Sequence, residues 1–217
     1  MIPTVRLAPK FAAFGLGALM LSACAVTDLD ETPPPMGRFL LGHNIAVAEN
    51  PEVGPASRKV SDEAWEFSVR KAVNDRFSRY DGDQYYHIAV RVGGYVLAQP
   101  GIPVVAAPKS VLIADVTIWD DAKGGPINEE AERFTVFEEG GDVIVGSGLT
   151  RTAEEQMDSL ARNLAKSIHD WMLDNKEWFG DASLMDPATT SPGRPIQPFE
   201  EPRPASAMAA VPEGDEA

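Results

Sequence analysis

The chain contains a single cysteine, Cys24. One thiol excludes any disulfide within the chain, so a fold of this length must be held by its apolar core and hydrogen bonds alone. The position of that cysteine matters as much as its number. Arg6 and Lys10 open the chain with positive charge and no acid, Phe11 to Leu21 is an apolar run of 11 residues, and small Ser22 and Ala23 stand directly before Cys24. A spanning helix needs about 20 apolar residues, so the run is too short to anchor the chain by itself. It has the three zones of a secretory signal.

The stretch Leu21-Ser22-Ala23-Cys24 resembles the lipobox of bacterial lipoproteins. The resemblance implies cleavage before Cys24, diacylation of its thiol and acylation of the new amino terminus. Residue 25 is Ala rather than Asp, which in this family implies the outer membrane, facing the periplasm. One acyl chain holds a membrane only marginally, whereas two or more anchor stably. A triacylated Cys24 is therefore expected to tether the protein permanently.

The expected organisation is a signal peptide over 1–23, a lipidated terminus and Pro-rich linker over 24–37, a folded domain over 38–180 and a tail over 181–217. The linker carries Asp28, Asp30 and Glu31 before Pro33-Pro34-Pro35, a composition that favours an extended, semi-rigid spacer. The tail holds seven prolines, several acids and few large apolar residues. It cannot bury enough surface to offset the entropy of ordering, and is expected to be disordered. The net charge of −14 leaves no basic stripe for nucleic acid.

Within the domain, Leu41, His43, Ile45 and Val47 alternate as a first strand, ended by Asn50-Pro51 and Gly54-Pro55. Ser61 is a suitable N-cap, followed by Asp62 and Glu63, and Trp65, Val69, Ala72, Val73 and Phe77 recur at helical spacing. Next comes a strand with Tyr86, Ile88, Val90 and Val92 on one face and Tyr85, His87, Ala89 and Arg91 on the other, with a bulge at Gly93-Gly94. Val111–Trp119 and Glu132–Glu138 are further strands, and Val143–Val145 is a short additional one. Thr152 and Glu155 form a capping box for a long helix with an apolar stripe from Met157 to Met172, running to about Trp178. The order is β-α-β-β-β-α. The expected fold is α+β, an antiparallel sheet of about four strands with two helices packed on one face. Centring the loops places Arg91 and Thr135 beside Asp115, on the face away from the helices.

This element order, carried by Trp65–Phe77, Ile88–Val92, Val111–Trp119 and Thr152–Trp178, resembles small envelope lipoproteins of proteobacteria. It is similar to the N-terminal domain of the translocation protein TolB and to auxiliary lipoproteins of envelope transport systems. The resemblance implies a shared core and assigns no functional residue beyond Cys24.

The residues give little chemistry. Gly146-Ser147-Gly148 lacks the spacing of a nucleophile elbow. His43, His87 and His169 sit on separate elements without metal-ligand spacing. No catalytic, cofactor or metal residue is expected. The apolar segment 100–108, with Ile102, Pro103, Val104 and Val105, and the sheet residue Trp119 are the candidate partner contacts. The first functional reading is a non-enzymatic, lipid-anchored accessory protein that docks an envelope partner. A binding module for a lipid or other apolar ligand, held in a dry cavity between sheet and helices, is the alternative; a hydrolase ranks third.

Overall fold

The computed structural model describes residues 28–99, 110–138 and 151–185. The chain divides into two units, Met1–Glu31 and Thr32–Ala217; every element below belongs to the second. Cys24, the segment 100–108 and Val143–Val145 lie outside the described residues.

The elements run β1 (Phe39–Val47), β2 (Glu52–Val53), α1 (Asp62–Phe77), β3 (Gln84–Val96), β4 (Val111–Asp120), β5 (Gly125–Pro126), β6 (Glu132–Phe137) and α2 (Ala153–Asp174), with 3-10 turns at Lys176–Phe179 and Ala182–Leu184. The fold is α+β, but its sheet is mixed and six-stranded rather than antiparallel and four-stranded. β1 and β2 both pair with β3 in parallel, while β4 pairs antiparallel with β3, β5 and β6. The parallel pair follows from α1. A helix between two strands of one sheet carries the chain back to its starting edge, so the second strand runs in the direction of the first.

Both helices begin as their residues dictate. The Ser61 side chain accepts from the Ala64 amide at 3.3 Å. At α2 the capping box is complete: Glu155 N donates to Thr152 Oγ1 at 3.1 Å, and Thr152 N donates to Glu155 Oε2 at 2.8 Å. The helices run parallel and in step, since Ser68 Oγ donates to Asp158 Oδ1 at 2.6 Å and, further along, Tyr80 Oη meets His169 Nε2 at 2.6 Å.

Tyr86, Ile88, Val90 and Val92 of β3 and Leu112, Ala114, Val116 and Ile118 of β4 are buried beneath the helices. Phe39 is the centre of this layer. Its ring stacks on Tyr86 at 5.6 Å and meets Phe77, Tyr80 and Phe179 at 5.4–5.9 Å. Burial pushes the hydroxyls of Tyr80 and Tyr86 up to about 12. Phe179 arrives on the 3-10 turn that follows α2, and Gly180 ends that turn with a φ of 67°, in the left-handed region that suits glycine. Arg38 N donates to Phe179 O at 2.8 Å, and Arg38 forks onto buried Asp83 at 2.6 and 2.9 Å. Those bonds tie the start of β1 to the end of the helical layer and to the start of β3.

Two irregularities set the register. Gly93-Gly94 is a bulge, as expected, because the β3–β4 pairing shifts between Val92 and Gly94. The other lies in β1 between Leu41 and Asn44. There the His43 amide donates to His87 Nδ1 at 2.7 Å, so a side chain on β3 takes the place of the missing ladder partner. A Cβ at Gly42 would drive into that imidazole, which explains a glycine at this point.

Candidate docking face

The sheet face opposite the helices is open. It presents one residue of every two from β1, β3, β4 and β6, so the alternation that buries Ile88 and Val116 exposes their neighbours. Trp119, the sequence candidate within the described residues, lies here and is 41% exposed. It sits directly opposite His87 in the β3–β4 ladder. Tyr85 and Ile45 are exposed on the same face, and Phe137 reaches 55% at its other end. Cys24, Ile102, Pro103, Val104 and Val105 fall outside the described residues.

A charged row crosses the middle of the face. Asp115 has Arg91 on one side and Arg133 on the other. The Arg133 fork donates to both carboxylate oxygens, at 2.7 and 3.3 Å, and Arg91 Nη1 stands 3.6 Å from Oδ2. The Asp115 side chain is only 15% exposed, whereas the two arginines are 65% and 69% exposed. Solvent therefore meets guanidinium here. The hydrogen bond to Asp115 raises the pKa of Arg133.

The expected Arg91–Asp115 pairing is present; the expected Asp115–Thr135 pairing is not, and Arg133 stands there instead. Two features set that register: the turn closes over residues 121–124, centred ahead of the glycine pair, and Asn128 interrupts the ladder after it. The Asn128 side chain accepts from Ile118 N and donates to Val116 O, standing in for a strand along part of β4. Ile127 N still donates to Ile118 O, but residues 128–131 are set aside from the ladder, so β6 is displaced by three positions from an unbroken β4–β5 hairpin, which would set residue 130 opposite Asp115.

His43 and His87 belong to separate elements, but their rings lie 4.8 Å apart, and His87 Nε2 is 3.2 Å from Asp121 Oδ1. Because Nδ1 of His87 accepts a backbone N–H, the hydrogen of the neutral ring is on Nε2, facing Asp121. The group is a clasp on the β1 bulge. Among the described residues, no group of three or more His, Cys, Asp or Glu could hold a metal ion. His169 is buried against Tyr80 and Phe77. The contacts of Arg133, Asp121 and Asn128 were not legible as a site, because each depends on register rather than on local spacing.

No family model matches the chain, and no curated protein does. Solved structures similar to it include three bacterial proteins. One is a Xanthomonas campestris protein of the DUF330 family, 13% identical, with a TM-score of 0.42 over 67% of this chain and 92% of that one. The second is a presumed lipoprotein from Caulobacter crescentus, 13% identical, with a TM-score of 0.34 over 59% and 89%. The third is the PelC dodecamer of Paraburkholderia phytofirmans, 10% identical, with a TM-score of 0.30 over 61% and 93%.

Proposed function

We propose that this is a non-enzymatic envelope lipoprotein, held through Cys24 at the outer membrane and facing the periplasm, that serves as an adaptor or accessory subunit for another envelope protein. The observation that carries the docking role is the helix-free sheet face, where Ile45, Tyr85, Trp119 and Phe137 are exposed around two outward arginines. Aromatic residues and arginine are the types that anchor protein interfaces. The two guanidiniums favour a partner that offers carboxylates. The anchor rests on the sequence around Cys24; among the described residues no helix is long and apolar enough to cross a membrane. The layer between sheet and helices, where an apolar ligand was the alternative, is occupied by Phe39, Trp65, Phe77, Tyr86, Met157 and Phe179.

Intact-mass measurement of the membrane-extracted chain beside Cys24→Ala tests the anchor. The expected result is a chain starting at Cys24 with acyl mass, lost in the variant; a retained leader without added mass overturns it. Crosslinking and co-purification test the docking. Trp119→Ala with Arg133→Glu should remove the captured partner and leave thermal unfolding nearly unchanged, while deletion of 100–108 tests the second contact. Full retention of the partner in both variants overturns the docking face.

A further inference from the structure

A second feature lies at the other end of the molecule's chemistry, among buried polar atoms. Arg58 follows β2 and spends Nη1 on the Arg151 carbonyl at 3.1 Å. Its Nε and Nη2 are buried and have no partner. Arg151 in turn donates to Glu138 Oε1 at 2.8 Å, and the other oxygen, Oε2, is buried without a partner. Arg151 immediately precedes the cap of α2. One turn into that helix, Gln156 is fully buried, and neither its amide oxygen nor its amide nitrogen has a partner. The parallel helices put Trp65 of α1 at the same level, one turn before the Ser68–Asp158 bond; its Nε1 is also buried and unpartnered. Six of the eight such atoms among the described residues thus belong to four side chains at the N-terminal end of the helix pair.

Buried polar groups are nearly always satisfied, and leaving one unsatisfied is costly. Four together need a common explanation. The two atoms of Arg58 are informative because they form one edge of the guanidinium, the planar fork that fits a carboxylate with two parallel bonds. This chain uses the same edge twice elsewhere: Nε and Nη2 of Arg38 hold both oxygens of Asp83, and those of Arg133 hold both oxygens of Asp115. At Arg58 no side-chain carboxylate among the described residues takes that place. Glu138 and Glu154 are near enough to favour its charge, while burial acts in the opposite sense and lowers its pKa overall. Donors outnumber acceptors, but Glu138 Oε2 and Gln156 Oε1 still need a hydrogen.

We propose that Arg58, Glu138, Gln156 and Trp65 form a binding site for a small carboxylate that also carries a donor, a hydroxyl or an ammonium group. The carboxylate lies on the Arg58 fork, the indole and amide N–H groups add donors, and the ligand's own donor meets Glu138 or Gln156. The site is independent of the docking face and does not require it.

Thermal unfolding of the full chain in acetate, lactate and glycine, each against the corresponding amide (uncharged for acetate and lactate, cationic for glycine) at matched ionic strength, tests the site. At least one carboxylate should raise the midpoint while its amide does not. Arg58→Lys keeps the charge but removes the fork, and should weaken that response tenfold or more. Gln156→Leu should weaken it too, and carries the comparison if Arg58→Lys does not fold. Carboxylates that act no differently from their amides, or a response that survives both substitutions, overturn the proposal. So does a Gln156→Leu chain that is more stable than its parent with an unaltered response, which assigns these groups to internal water.

Discussion

The two faces of one sheet meet opposite fates. On the covered face, side chains from β3 and β4 alternate into a layer of rings and branched aliphatics beneath two helices. On the open face, the intervening residues of the same strands stand in solvent around one ionic row. Charge follows the division. The two helices hold nine acids against five bases, whereas the open faces of β3, β4 and β6 hold Arg91 and Arg133 against the shielded Asp115. In a chain of net charge −14, that makes the open face the place where an acidic partner meets least repulsion. Stability and the proposed docking thus fall on opposite sides of one set of strands, and a substitution should affect one with little effect on the other.

That division is sharpest at Phe39. Removing a ring with four aromatic neighbours leaves a cavity that rigid surroundings fill poorly, so Phe39→Ala should cost about 3–5 kcal/mol in urea unfolding. A loss below about 1 kcal/mol would break the distinction between the faces. The covered face should also fail in alkali. Tyr80 and Tyr86 have their hydroxyls raised to about 12 by burial, against an unfolded value near 10. Below about pH 10 both states keep the proton, and the contribution to stability is complete. Between about pH 10 and 12 the unfolded chain loses protons that the folded chain retains, so stability should fall, on the order of a few kcal/mol in all. Tyrosinate absorbance followed with unfolding would show titration displaced upward in the folded state; two tyrosines titrating at the unfolded value would contradict it.

On the open face the effects shrink. Asp115→Ala removes the partner of two arginines at once, yet they are solvent-exposed, so the expected loss is about 1 kcal/mol or less and should diminish with salt. A salt-independent loss of several kcal/mol would mean that the row is structural. Trp119→Ala should change stability by no more than about 0.5 kcal/mol, and a larger change would show that the ring already packs within the domain.

Local signals were legible in the sequence because they act over a few residues. Ser61, Thr152 and Glu155 mark helix starts through bonds to neighbouring amides, and the glycine pair at 93–94 marks its own bulge. The Arg91–Asp115 pairing was also recoverable, since the bulge and loop between β3 and β4 happen to preserve it. The direction of β1 was missed although α1 between two strands implies a crossover; reading each strand singly gives no orientation. β2 and β5 span two residues each, too few for any periodicity. The row on Asp115 was half legible, since Asn128 imitates a strand through its side chain and nothing in its spacing announces that. The four buried polar side chains at Arg58 were invisible for a related reason: they come from four separate segments, and only packing brings them to one end.

The bond from Arg38 to Phe179 has a consequence for how this domain is made. Phe39 lies near the start of the domain, and one ring that completes its surroundings is delivered only after both helices. Contacts so distant along the chain carry a large loop-closure entropy. During synthesis, the leading segment therefore has no finished layer to join until residue 179 has emerged. The layer around the first strand is thus closed from the far end of the domain, where the Phe179 ring meets Phe39 and its carbonyl takes the Arg38 amide.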